Sequence, residues 1–172
     1  MLPSMTFVLG GAASGKSVFA ENLIVNSGLI PVYLATARIW DAEIKDRVQV
    51  HRDRRDAAWI NCEATHDLAD ILQDRHAGEA VLIDCATMWL TNHVMDGNDL
   101  ALAQAALLQA LADCAAPVVI VSNELGQGIV PADAKTRAFR EAQGRLNIAL
   151  AARADTAVQV VAGLPNVLKG HL

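Results

Sequence analysis

Residues 5–17 read MTFVLGGAASGKS, an apolar run followed by a glycine-rich turn that ends in Lys16 and Ser17. The five residues from Met5 to Leu9 predict a short buried strand, because an apolar run that stops at glycines is typical of a strand entering a tight turn. From Ser17 to Val25 the apolar side chains recur at helical spacing. The predicted order is therefore strand, turn and helix.

The turn matches the pattern Gly-x4-Gly-Lys-Ser of a P-loop between Gly10 and Ser17. Glycines allow a sharp turn in which several backbone N–H groups point at one phosphate group, and the following helix adds the positive end of its dipole. The lysine neutralises the terminal phosphates, and the serine hydroxyl is a ligand for Mg²⁺. The alternative is a glycine-rich turn that merely precedes a helix. The predicted nucleotide-binding residues here are Gly10, Gly11, Ala12, Ala13, Ser14, Gly15, Lys16 and Ser17, with Lys16 also catalytic.

Strands and helices alternate along the rest of the chain. Further strands are predicted at Pro31 to Ala35, Val81 to Asp84, Val118 to Ser122 and Ala157 to Ala162, and further helices at Asp41 to Arg54, Leu100 to Cys114 and Thr136 to Arg153. Strands that are apolar throughout are typical of a parallel sheet covered on both faces. We therefore expect one α/β domain over residues 1–172, with a P-loop NTPase fold and a mostly parallel central sheet with helices on both faces.

Composition limits the partners and the compartment. A formal net charge of −5 gives no broad attraction to nucleic acid or to anionic membranes. The three cysteines, Cys62, Cys85 and Cys114, lack metal-ligand spacing, so we expect reduced core thiols of a cytoplasmic protein. The first residues resemble neither a signal peptide nor a membrane-spanning helix.

Asp84 ends an apolar predicted strand, where P-loop proteins place an acid that helps to hold Mg²⁺. We predict Ser17 and Asp84 as the metal ligands. The alternative is that Asp84 caps a helix that starts near Cys85.

His51 lies in a basic run, Arg47 to Arg55. Neighbouring cations disfavour the imidazolium ion and would keep the ring neutral, as a nucleophile must be. The same guanidinium groups could neutralise phosphate oxygens during attack. From these residues alone, a solvated surface histidine is the favoured interpretation.

Several stretches together resemble one known family. They are the P-loop, Tyr33-Leu34-Ala35-Thr36-Ala37, Arg47-x3-His51-Arg52-x-Arg54-Arg55, Trp59-x3-Glu63, Asp84-Cys85-x-Thr87-x-Trp89-x2-Asn92, Ser122-Asn123-Glu124-x-Gly126-x-Gly128-Ile129-Val130-Pro131, Arg137-x-Phe139-Arg140 and Gly144-Arg145-Leu146-Asn147. In this order they are similar to the bifunctional adenosylcobinamide kinase/adenosylcobinamide-phosphate guanylyltransferases of cobalamin biosynthesis. The resemblance spans nearly the whole chain.

The resemblance implies a two-step transferase. ATP or GTP first phosphorylates adenosylcobinamide, and GMP then passes from GTP through a guanylyl-histidine to adenosylcobinamide phosphate, giving adenosylcobinamide-GDP and pyrophosphate. The family's guanylylated histidine falls on His51. Its nucleotide contacts fall on the P-loop and on Ala35, Thr36, Ala37, Arg52, Asp53, Arg54, Arg55, Glu63 and Asp84. The family forms homo-oligomers, commonly trimers.

Some assignments remain open at this stage. Many relatives carry arginine where this chain has Ala13, so one phosphate or subunit contact is in doubt. Asp84 and Glu124 are both candidates for the general base of the kinase step. Glu63 could instead be a charge at a helix N-terminus, and the three tryptophans favour packing over a corrin platform. The apolar face of Thr136 to Arg153 could contact another subunit or the core. The competing functions are a plain P-loop small-molecule kinase and a GTP-binding switch module.

Overall fold

The computed structural model of the protein describes residues 2–39 and 57–172. In that part of the chain the strands are β1 (Met5–Gly10), β2 (Ile30–Ala35), β3 (Ile60–Glu63), β4 (Glu79–Asp84), β5 (Val118–Asn123), β6 (Thr156–Val161) and β7 (Leu164–Lys169). The helices are α1 (Lys16–Asn26), α2 (Ala69–Leu72), α3 (Ala86–Met95), α4 (Leu100–Asp113) and α5 (Ala134–Arg153). The predicted helix from Asp41 to Arg54 lies outside the described residues.

The strands form one seven-stranded sheet in the order β3-β2-β4-β5-β1-β6-β7. Every neighbouring pair is parallel except β6 and β7, which are antiparallel. The predicted mostly parallel sheet is therefore confirmed. Because parallel strands all end at the same edge, the residues after β1, β2, β4 and β5 meet along one side of the molecule.

Each face of the sheet has its own apolar cluster, because successive side chains of a strand point to opposite faces. On one face Val8, Leu82, Val119 and Val121 pack with Ala20 of α1. On the other face the strands pack against α3, α4 and α5, and Trp89, Leu111 and Leu146 belong to that cluster. We call these the α1 face and the α5 face.

The predicted strands were found within a few residues, but β3, β7, α2 and α3 were not predicted. The strand β7 is an edge strand with all six residues exposed, and it contains Pro165, which an edge strand tolerates. It joins β6 through Ala162 and Gly163, which both adopt positive φ values of 51° and 78°. This two-residue connection is the feature of the sequence that could have indicated a hairpin.

The predicted core roles of several residues are confirmed. Cys62, Cys85 and Cys114 are free thiols, and Cys85 is buried. Trp59 and Trp89 are buried among the core side chains, whereas Trp40 lies outside the described residues. The α5 residues Leu146 and Leu150 pack against the sheet, so the apolar face of this helix belongs to the core of the same chain. Across residues 2–39 and 57–172, no helix has the length and apolar character that crossing a bilayer requires.

Candidate nucleotide-binding site

The glycine-rich turn connects β1 to α1 and curls around the first turn of the helix. Gly15 is the N-cap residue of α1, with a φ of 92°, and as a glycine it has no side chain to cap this end. The N–H of Lys16 makes a long contact to Ser14 Oγ at 3.4 Å. The N–H groups at a helix N-terminus have no partner within the helix and are the groups that bind phosphate.

Two of the glycines are required by close packing. A Cβ atom on Gly15 would lie 3.0 Å from Cα of Gly163, and one on Gly10 would lie 2.8 Å from the carbonyl oxygen of Val160. The N–H of Gly163 also donates to the carbonyl oxygen of Ser14 at 2.8 Å. The turn between β6 and β7 thus supports the phosphate loop from outside and fixes its shape.

Lys16 is held close to this loop. Its Nζ donates to the carbonyl oxygen of Gly11 at 3.0 Å, which keeps the ammonium group over the turn. Ala13 adopts a φ of 54°, a left-handed conformation that costs an alanine more than a glycine. The methyl group of Ala13 is exposed, so this position makes no packing contribution that offsets the strain.

Asp84 ends β4 on the α1 face, since Leu82, two residues earlier, packs in the cluster with Ala20. Its Oδ2 accepts a hydrogen bond from the Tyr33 hydroxyl at 3.1 Å. The N-cap residue of α3 is Cys85 and not Asp84. The helix-cap alternative is therefore not supported, and the carboxylate lies on the same face as the loop helix.

The Cys85 thiol next to this carboxylate is unreactive. Burial, with the negative charge of Asp84 as a second cause, raises its pKa to about 12, and the positive charge of Lys16 opposes this rise. The opposing effects of Asp84 and Lys16 indicate that both charges reach the end of β4. A thiol with this pKa is neutral at physiological pH, so Cys85 is no nucleophile.

Thr36 joins the ends of β2 and β4. Its hydroxyl donates to the carbonyl oxygen of Cys85 at 2.7 Å and accepts from the N–H of Cys85 at 2.8 Å. Its own N–H donates to the backbone carbonyl oxygen of Asp84 at 3.2 Å, and its carbonyl oxygen accepts from the Asn92 amide. The polar groups of Thr36 are thus all engaged, which leaves only van der Waals contact for a nucleotide at this residue. Nucleotide contacts at Ala35, Thr36 and Ala37 stay predictions.

Glu63 is the last residue of β3 and is exposed, with Ala35 of β2 opposite it in the parallel register. It therefore lies at the edge of the sheet where β2 also ends. The next helix, α2, begins only at Ala69, so Glu63 is not a charge at a helix N-terminus. The contact of Glu63 with a nucleotide stays a prediction.

The loop after β5 starts beside the phosphate loop, because the N–H of Glu124 donates to the carbonyl oxygen of Gly10 at 3.0 Å. The Glu124 carboxylate accepts from the N–H of Gly126 and so stabilises its own turn. Arg140 donates to the carbonyl oxygens of Gly126, Gly128 and Ile129, which holds the loop against α5.

Five predicted site residues, His51, Arg52, Asp53, Arg54 and Arg55, lie outside the described residues and stay predictions. Two other residues of this edge belong to stretches that carry the family resemblance but were not assigned as site residues from the sequence. Tyr33 bonds Asp84, as described above, and Asn123 ends β5 between β4 and β1. The signal for Asn123 was its position as the polar end of an apolar run next to a loop.

Comparisons with known proteins agree with this geometry. Residues 6–168 match the family model described as cobinamide kinase / cobinamide phosphate guanyltransferase. The chain is 42% identical to the bifunctional adenosylcobalamin biosynthesis protein CobP of Pseudomonas aeruginosa, over 95% of this chain and 96% of that protein. It is 39% identical to the corresponding CobU protein of Escherichia coli, over 93% of this chain and 97% of that protein.

Among solved structures, the RadB recombinase matches with a TM-score of 0.55 at 18% identity, covering 92% of this chain and 74% of that one. The flagellar accessory protein FlaH from Methanocaldococcus jannaschii matches with a TM-score of 0.53 at 11% identity, covering 99% of this chain and 80% of that one. These likenesses support the fold alone. The phosphate loop, the acid at the end of β4 and the match along residues 6–168 together show that the chain belongs to the cobinamide kinase / cobinamide phosphate guanyltransferase family.

Proposed function

We propose that this chain phosphorylates adenosylcobinamide with ATP or GTP and then transfers GMP from GTP, through guanylyl-His51, to adenosylcobinamide phosphate. The products of the second step are adenosylcobinamide-GDP and pyrophosphate. The observation that carries the proposal is the phosphate loop from Gly10 to Ser17, with Asp84 ending a strand on the α1 face, in a chain whose family is bifunctional.

Both steps break a bond between phosphorus and oxygen, and both require that a triphosphate is held still while negative charge grows on it. The N–H groups at the start of α1 and the ammonium group of Lys16 supply that hold. In the guanylyl step the ring of His51 forms a bond to the α-phosphorus, and the bond to the bridging oxygen of pyrophosphate breaks. Imidazole suits this role because it is a good nucleophile and, once protonated, a good leaving group.

The oxygen donors at this edge fit Mg²⁺. The Ser17 hydroxyl and the Asp84 carboxylate are hard ligands, and Mg²⁺ is commonly bound by one or two carboxylates together with substrate phosphates. In the described part of the chain, no group of three or more histidine, cysteine or acidic side chains could hold a metal ion by itself. A bound Mg²⁺ would neutralise charge on the phosphates, and Ser17 and Asp84 would hold it.

Of the two candidates for the general base, Glu124 is the weaker. Its carboxylate bonds the N–H of Gly126 in its own turn, and removing it from there would open the loop. Asp84 ends a central strand on the α1 face, where the triphosphate would lie. We therefore propose Asp84 as the general base of the kinase step.

We also propose that the enzyme acts in the cytoplasm as a homo-oligomer, a trimer by its family resemblance. The edge strand β7 offers a contact surface, since Leu164 is 72% exposed and Leu168 is 55% exposed. The mass in solution, measured by light scattering, tests this proposal. A single 18.3 kDa species at micromolar concentration would contradict it.

Incubation with α-labelled GTP and Mg²⁺ tests the function. The proposal predicts an acid-labile, base-stable label on the wild-type protein and no label on the His51→Ala variant. Transfer of γ-phosphate to adenosylcobinamide without a covalent label would indicate a plain small-molecule kinase. Binding of GTP with neither activity would indicate a switch module.

A further inference from the structure

Asn123 is the last residue of β5, and the role inferred for it below rests on the proposed function. The strand β5 lies between β4 and β1 in the sheet. In the parallel register Asn123 is opposite Gly10, the first residue of the phosphate loop, while Asp84 is opposite Val121. Asn123 is therefore located at the carboxyl edge between the strand that carries the acid and the strand that carries the loop.

The alternation of side chains assigns Asn123 to the α1 face. Val119 and Val121 pack with Ala20 and Ile24 of α1, whereas Ile120 packs in the cluster on the opposite face. The Ser122 side chain lies on the same face as Ile120, since its hydroxyl donates to Asn147 of α5. Asn123 is the next residue of the same strand and so returns to the face of the loop helix, where Asp84 also lies.

The backbone of Asn123 is fixed on both sides. Its N–H donates to the Thr87 hydroxyl at 2.9 Å, and its carbonyl oxygen accepts from the Asn147 amide at 3.1 Å. Asn147 is held in turn, because the Gln143 amide donates to its Oδ1 and to the Ser122 hydroxyl, both at 2.9 Å. Ser122 and Gln143 are fully buried and Asn147 is 8% exposed.

The side-chain amide of Asn123 is not part of this hydrogen-bond network. The residue is half-buried, and among residues 2–39 and 57–172 its side chain has no hydrogen-bond partner. A polar side chain without a protein partner, on a strand end whose backbone is fixed and at the edge of a phosphate site, is suited to hydrogen-bond a phosphate oxygen in the transition state.

We propose that the Asn123 amide is a catalytic group of the kinase step, donating a hydrogen bond to an oxygen of the γ-phosphate as the phosphoryl group moves to the substrate hydroxyl. In this step the bond from the bridging oxygen to the γ-phosphorus breaks, a bond from the substrate oxygen to that phosphorus forms, the hydroxyl proton passes to the Asp84 carboxylate, and the nucleoside diphosphate leaves. Asn147 and Gln143 are positioning residues, since they act through the backbone of β5 and touch no substrate.

The test compares Asn123→Ala with Asn123→Asp in assays with ATP and adenosylcobinamide. Loss of the donor should lower kcat for phosphoryl transfer by about 10²-fold, with a much smaller change in KM for ATP. Aspartate should be worse than alanine, because it keeps the shape but places a negative charge against the phosphate. A purely structural role predicts the reverse order, since aspartate is nearly isosteric with asparagine.

Guanylylation of His51 should fall less than phosphoryl transfer in both variants, because that step reacts at the α-phosphorus. Asn26→Asp makes the same charge change at the exposed far end of α1 and should leave both activities unchanged. Equal activity of the Asn123 variants and the wild type would overturn the inference and leave the proposed function intact. A wild-type protein that phosphorylates no adenosylcobinamide would instead contradict the proposed function itself.

Discussion

The two faces of the sheet differ in how their polar side chains are engaged. On the α1 face, Asp84, Asn123 and the loop from Gly10 to Ser17 lie along one edge. On the α5 face, buried side-chain amides donate within the protein: the Asn92 amide donates to the carbonyl oxygens of Thr36 and Thr65, at 2.8 and 2.7 Å. In the proposed mechanism the α1 face carries the chemistry, whereas the α5 face holds the strand ends in position.

The largest effect should come from Lys16→Ala on the α1 face. Both steps need the triphosphate held, so phosphoryl transfer and guanylylation should each fall by about 10³-fold, while the folded structure persists. Steady-state phosphorylation of adenosylcobinamide and labelling by α-labelled GTP measure the two steps. Normal guanylylation by this variant would contradict the use of one loop for both steps.

Asp84→Asn should reduce both activities by about 10²-fold and raise the Mg²⁺ concentration needed for half-maximal rate, because an amide is a poorer ligand than a carboxylate. Tyr33→Phe is the matched control, since it removes the hydrogen bond from the Tyr33 hydroxyl to Asp84 and keeps the carboxylate. Titration of the rate with Mg²⁺ distinguishes the two variants. An unchanged Mg²⁺ requirement in Asp84→Asn would rule out this carboxylate as a ligand.

Asn92→Ala tests the α5 face and should lower the stability of the folded protein. The variant loses two hydrogen bonds and leaves the buried carbonyl oxygen of Thr36 and the part-buried one of Thr65 without this donor, at a cost of about 2–3 kcal/mol in the free energy of unfolding. For a chain of this size the melting temperature should fall by roughly 4–10 °C. Asn22→Ala, at an exposed position of α1, is the control. An unchanged melting temperature with full loss of activity would contradict a purely structural role of Asn92 and of the α5 face.

The smallest effect is expected for Ala13→Gly in the phosphate loop. Glycine relieves the strain of the positive φ at this position but increases the conformational entropy of the unfolded chain, so the two effects partly cancel. The free energy of unfolding should rise by less than about 1 kcal/mol. Chemical denaturation measures this change, and a clear destabilisation would show that the positive φ of Ala13 does not strain the backbone.

The central strands and the loop could be predicted from the sequence because their signals are local. The runs before Gly10 and Asp84 are apolar except for Thr6, as is typical of strands buried on both faces, and the glycine spacing predicts the loop directly. The short strand β3 and the exposed strand β7 carry no such run, since neither is buried on both faces.

The predicted site depended on local signals in the same way. Asp84 ends a recognisable strand, and its position was confirmed. The pairing of Asp84 with Tyr33 and the network from Gln143 to Asn123 join residues that are far apart in the chain, which no spacing pattern reveals. Thr36 matched a motif, yet its polar groups hold the protein together, because a motif does not distinguish a contact to ligand from a contact to backbone.

A chase of the covalent intermediate tests the central claim most directly. The wild-type protein is labelled with α-labelled GTP, freed of nucleotide, and mixed with adenosylcobinamide phosphate. If the guanylyl-histidine is the intermediate, the label should leave His51 and appear in adenosylcobinamide-GDP without added GTP. Label that stays on the protein, or that is released only as GMP, would contradict it.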